Sequence, residues 1–110
     1  MTYITFYQDS EGAVTGFETS GHAGYAQRGE DIVCAGISAL VINAINSVEQ
    51  FTEDEFTLDV DSENGGFVFR LKEKPSKEAA LLLNSLILGL QRMEDEEENR
   101  QYIDVIFEEV

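Results

Sequence analysis

Along this chain the spacing of apolar residues switches from every second position to a helical period, and then does so again. Tyr3-Ile4-Thr5-Phe6-Tyr7 and Ala13-Val14-Thr15-Gly16-Phe17 alternate around Asp9-Ser10-Glu11-Gly12, a set of turn formers, and predict a β-hairpin. Ile4 and Phe6 then point to one face, and Tyr3, Thr5 and Tyr7 to the other. Ile37, Leu40, Val41, Ala44, Ile45, Val48 and Phe51 recur at helical spacing and predict a mostly buried helix, ended by Thr52-Glu53-Asp54. Phe56, Leu58 and Val60 next alternate against Phe67, Phe69 and Leu71 across Ser62-Glu63-Asn64-Gly65-Gly66, a second hairpin.

Pro75 stops the last of these strands, and Ser76 is suited to cap a second helix. Ala79, Leu82, Leu83, Leu86, Leu90 and Met93 form its apolar stripe. Leu81, Ile87 and Leu88 widen that stripe, either as a protein contact, most simply a homodimer seam, or as a broad core face. The acids from Glu94 to Glu98 fall where the helix dipole prefers cations, so that end is expected to fray into solvent. Tyr102-Ile103-Asp104-Val105-Ile106-Phe107 reads as a closing strand. The element order is therefore ββαββαβ. It predicts an α+β fold in which a five-stranded sheet is packed against two helices, with residues 1–110 as a single domain.

A formal charge of -15, from 22 acidic against 7 basic residues, argues against direct nucleic-acid binding, which needs clustered Lys and Arg. The same field would steer a basic partner toward the protein. One cysteine cannot form an internal disulfide, and no basic, apolar signal stretch opens the chain, so a cytoplasmic location is expected. The longest uninterrupted apolar run is far shorter than the ~20 residues that cross a bilayer, and no membrane association is expected.

The only histidine and the only cysteine share one segment, Ser20 to Ser38, whose first half is polar and punctuated by Gly21, Gly24 and Gly29. These glycines match neither the dinucleotide fingerprint nor the P-loop spacing, and they read as hinges of a mobile loop that closes on a substrate. Asp31 is a plausible N-cap, which would set Cys34 in the first helical turn, where free backbone N–H groups favour an anion. A cysteine attacks as its thiolate, and an imidazolium from His22 would favour that form and return a proton to a leaving amine. First-turn or glycine-loop amides could receive an oxyanion. Read from the residues alone, Cys34 is either this nucleophile or a small core residue, and His22 either its base or a surface histidine. Asp31 caps the helix, orients His22, or does both. Ser38, four residues after Cys34, bonds near the sulfur or to a carbonyl one turn back. Arg28 and Glu30 read as solvated loop charges. With a single His and a single Cys, neither a metal nor another cofactor is expected.

Gly21-His22-Ala23-Gly24 followed by Gly29-Glu30-Asp31-Ile32-Val33-Cys34-Ala35-Gly36-Ile37-Ser38 resembles the motif of the ribosomal-processing cysteine protease family, Prp. The resemblance extends in length and element order over essentially the whole chain. It implies that His22 and Cys34 are the catalytic pair, with Asp31 and Ser38 supporting them, and that the protein is a homodimer. The implied substrate is the large-subunit ribosomal protein numbered twenty-seven, whose hydrophobic N-terminal extension is cut after paired phenylalanines before a small residue. Two other functions use the same features: a non-enzymatic ribosome-assembly or ribosomal-protein-binding module, and a cysteine acyltransferase.

Overall fold

The computed structural model describes residues 1–21, 28–61 and 66–110, the side chains of 28–30 excepted. The elements are β1 (Thr2–Gln8), β2 (Val14–Ser20), α1 (Arg28–Phe51), β3 (Phe56–Asp61), β4 (Gly66–Leu71), α2 (Lys77–Asp95) and β5 (Ile103–Glu109). This is the expected ββαββαβ order, and the five strands form one sheet in the order β3-β4-β2-β1-β5. Both hairpins pair antiparallel, whereas β5 runs parallel to β1 along its full length. Residues 62–65, which hold most of the second hairpin's expected turn, lie outside the described residues.

Local chemistry accounts for the first turn. Asp9 Oδ1 accepts from the amides of Glu11 (2.9 Å) and Ala13 (3.0 Å), and Gly12 takes the positive φ of 85° that closes the hairpin. The strand registers then line up aromatic residues across the sheet: Phe107 faces Phe6, Phe6 faces Phe17, and Phe17 faces Phe69. Phe6, Phe17 and Phe69 are fully buried, with the Phe17 and Phe69 rings stacked 5.0 Å apart and Phe56 4.8 Å from Phe69. In the second hairpin Phe56 faces Leu71, Leu58 faces Phe69 and Val60 faces Phe67, the register that the alternation predicts.

Both helices close over this row. Val33, Ile37, Val41, Ala44, Ile45 and Val48 of α1 join Leu83, Leu86 and Leu90 of α2 in one core with Ile4, Phe6, Phe17 and Phe69. Two glycines let the helices approach: a Cβ on Gly36 would stand 3.0 Å from Met93 Cε, and one on Gly89 would stand 3.1 Å from Leu40 Cδ1. The expected buried stripe needs correction at its end, because Phe51 is 72% exposed. Phe51 is the last residue of α1, and the buried stripe ends one turn earlier at Val48. Ile32 and Ile42 are also exposed, so α1 is buried along a stripe rather than mostly enclosed. By length and composition alone, Asp31–Phe51 would suffice to cross a bilayer. Its packed stripe gives it instead the role of a core helix.

On α2, Ile87 is half-buried against the core and so broadens the core face, whereas Leu81 and Leu88 stand exposed one heptad apart. The acidic end of α2 stops at Asp95, where Glu96 N and Asn99 Nδ2 (3.0 Å) both donate to Met93 O. Glu94 is drawn out of the acidic run, since its carboxylate accepts the amide of Val105 on β5 at 2.6 Å. Beyond Asp95 the chain continues as hydrogen-bonded turns, with Asn99 N donating to Glu96 O and Tyr102 N to Asn99 O.

The start of α2 is tied to the end of α1. Ser76 Oγ accepts from Ala79 N as the N-cap, and Ser76 in turn donates through its hydroxyl and its amide (2.8 Å) to the Asp54 carboxylate. Asp54 N donates to Thr52 Oγ1, which donates to Val48 O in the last turn of α1. Burial works to raise the Asp54 pKa, but the hydrogen bonds from Ser76 and Thr52 outweigh it and hold the carboxyl below its ordinary value. A depressed carboxylate contributes stability above its unfolded pKa, about 3.9, and loses it as pH falls through the lower folded value. Urea midpoints of wild type and Asp54→Ala should therefore differ clearly at neutral pH and converge in acid. A gap that persists unchanged below about pH 2 would show that the carboxylate's charge is irrelevant to the cap.

Candidate active site

Helix α1 begins at Arg28, three residues before Asp31, so the expected N-cap role of Asp31 is not realised. Asp31 lies exposed within the first turn, where a carboxylate also suits the dipole, and an acid there resembles a cap in sequence. Cys34 accordingly falls in the second turn rather than the first. Its own amide is committed to the helix, because only the first four N–H groups of a helix lack an internal partner. An oxyanion therefore has to be received by donors other than Cys34 N. Gly29 lies within the first turn of α1, not in a hinge ahead of it. His22 and Gly24, together with most of the loop expected to be mobile, lie outside the described residues.

The sulfur is neither fully enclosed nor free. Cys34 is half-buried, and its Sγ lies 3.4 Å from Oγ1 of Thr2, the first residue of β1. Thr2 belongs to the face of β1 that carries Ile4 and Phe6 into the core, and it is 7% exposed. Its amide donates to Tyr102 O at 2.8 Å, just before Ile103, the residue opposite it on β5. The sequence reading passed over Thr2. A hydroxyl in register with two core residues of an alternating strand was the available signal, but its partner, 32 positions away, emerges only when α1 packs across the sheet.

The chain leading to His22 leaves the sheet beside this contact. Ser20, the last residue of β2, pairs with Tyr3, and Gly21 follows with a φ of +94°. A Cβ at Gly21 would lie 2.2 Å from the Met1 carbonyl oxygen, so only glycine permits both this backbone angle and this approach. Gly21 is thus fixed against the start of β1, a tighter role than that of a hinge. Ser38 stands exposed one turn beyond Cys34, and among the described residues the sulfur's hydrogen-bond partner is Thr2 rather than Ser38. Gly36, two residues after Cys34, admits Met93 and sets the helix crossing close to the thiol.

A cavity of about 440 Å³ adjoins the end of β2, lined by Glu18, Thr19, Ser20, Gly21, Asp61, Gly66 and Val68. A larger one, of about 580 Å³, lies at the turns around Asp54, Lys72 and Ser76 and includes nothing from the Gly21–Ser38 segment. Neither cavity includes Cys34 or Thr2 in its lining. Among the described residues, no group of three His, Cys, Asp or Glu side chains could hold a metal ion.

A family profile described as cysteine protease Prp matches residues 1–104. Among curated proteins, the ribosomal processing cysteine protease Prp of Bacillus subtilis is 34% identical over 98 residues, covering 86% of this chain and 88% of its own. Among solved structures, an essential ribosomal processing protease Prp from S. aureus, in complex with a substrate peptide, is 29% identical with a TM-score of 0.91, covering 98% of this chain and 100% of that one. A structure of the S. aureus protease with a covalently linked product peptide is 30% identical with a TM-score of 0.86 and the same coverage. Matched in sequence and in fold over nearly its full length, the chain belongs to the cysteine protease Prp family.

Proposed function

We propose that this protein is a cytoplasmic cysteine endopeptidase that removes the hydrophobic N-terminal extension of the large-subunit ribosomal protein numbered twenty-seven, with Cys34 as nucleophile and His22 as its proton acceptor and donor. The observation that carries the reading is the half-buried Cys34 sulfur beside the end of β2, where Gly21 is held against Met1 and the next residue is His22. Cys34 Sγ attacks the scissile carbonyl carbon and forms an S–C bond, while His22 takes the thiol proton. His22 then returns that proton to the amine as the C–N bond breaks, and water hydrolyses the thioester to a free carboxylate, restoring the thiol. The proposal gives Asp31 and Ser38, both exposed on α1, supporting roles in this chemistry.

The charge of -15 suits a basic ribosomal protein as substrate, since it draws such a partner in before docking. The proposal includes a homodimer, for which exposed Leu81 and Leu88 supply an apolar surface on α2. Mass spectrometry of a synthetic peptide with a hydrophobic stretch ending in two phenylalanines and followed by a small residue tests the reaction. Two fragments are expected, the first ending in a free carboxylate after the second phenylalanine. An uncut but bound peptide would favour an assembly module, and a transferred acyl group an acyltransferase.

A further inference from the structure

Thr2 is an unusual occupant for its position. The strand alternation that buries Ile4 and Phe6 also buries the Thr2 hydroxyl, and a buried hydroxyl needs a partner. Among the described residues, the partner within reach is Cys34 Sγ at 3.4 Å. Nor can the hydroxyl drift, because β1 is hydrogen-bonded to β2 on one side and β5 on the other, and Thr2 N is held by Tyr102 O.

The geometry points to Thr2 as a positioning residue for the Cys34 nucleophile, one that holds the sulfur on the β1 side of α1, facing the point where the chain leaves β2 toward His22. The role follows from what each partner can do. A thiol can donate to Oγ1 or accept from it, whereas a thiolate only accepts, and the threonine hydroxyl rotates to serve either state. Its bond to the anion is the stronger of the two, being charge-assisted. Once the sulfur is acylated it carries no charge and has no proton to donate, so the contact weakens. The hydroxyl therefore acts up to the attack and not after it. With only 7% of its surface exposed, Thr2 does not meet the peptide, and peptide binding should be indifferent to it.

This inference rests on Cys34 being the nucleophile, and the experiment separates the two ideas. Single-turnover cleavage of the same synthetic peptide is measured with the protein in excess, alongside the rate of iodoacetamide alkylation, for wild type, Thr2→Val, Thr2→Ser and Cys34→Ala. Valine has the shape of threonine and favours strands, so Thr2→Val removes the hydroxyl while keeping the packing. The saturating cleavage rate and the alkylation rate are expected to fall about three- to tenfold in Thr2→Val, the effect of one lost hydrogen bond, with the half-saturating concentration unchanged. Thr2→Ser is expected to recover most of both. If Cys34→Ala is inert while Thr2→Val cleaves and alkylates at wild-type rates, the positioning role is wrong and the nucleophile stands. Equal losses in Thr2→Ser and Thr2→Val would reduce Thr2 to a packing residue, and cleavage by Cys34→Ala would remove the nucleophile itself. Should Thr2→Val not fold, Thr2→Ala against Thr2→Ser carries the same comparison.

Discussion

Replacing Cys34 with alanine is expected to abolish peptide cleavage while leaving the fold in place. The loss should be on the order of a millionfold, as for other nucleophiles deleted from an acyl-transfer site, because no second group can form the covalent intermediate. Cys34 is the only cysteine in the chain, so no neighbouring thiol can substitute. The side chain is only half-buried, and its truncation removes one sulfur contact with Thr2 and little packing. Far-UV circular dichroism and a urea melt close to those of wild type should therefore accompany the inactivity. Cleavage at the wild-type rate would overturn the covalent mechanism, and a collapsed melt would show that the thiol is chiefly structural.

Phe69→Ala should have the largest effect on stability. Phe69 is fully buried, stacks on Phe17 and packs against Phe56, and it lies at the middle of the β4 pairing with both β2 and β3. Truncating such a residue costs about 3–5 kcal/mol, a large fraction of the 5–15 kcal/mol that typically holds a domain together. The urea midpoint should drop by more than about 1 M. Phe51→Ala, by contrast, removes a ring that is 72% exposed and should change stability by less than about 0.5 kcal/mol. Similar losses from both substitutions would mean that the end of α1 is covered in solution, as a dimer seam there would require.

These two phenylalanines show where sequence reading succeeds and where it stops. Phe69 was legible because strand alternation repeats on each side of a turn, and the pairing Leu58 with Phe69 follows from matching the two patterns. Phe51 fits the helical period equally well, but periodicity says which face it is on and not how far along the helix the packing continues. The start of α1 was misplaced for a related reason. Acids are favoured both at the cap and within the first turn, so Asp31 alone could not distinguish the two, and the helix runs back through Gly29 to Arg28. The motif singles out Cys34 as the candidate nucleophile. It could not reveal Thr2, because that contact depends on how α1 crosses β1, and no local pattern records a crossing.

The parallel pairing of β1 with β5 also has a kinetic meaning. Thr2 is set by a strand that lies almost a full chain length away in sequence, opposite Ile103 and beneath the Tyr102 carbonyl. Contacts of such separation carry the largest loop-closure entropy and form late in folding. During synthesis the hairpins and both helices can assemble while the far side of β1 is still open, and β5, which follows them in the chain, is the strand that secures the residue touching the sulfur. The order of synthesis thus leaves Cys34 without its anchored neighbour until β5 has emerged.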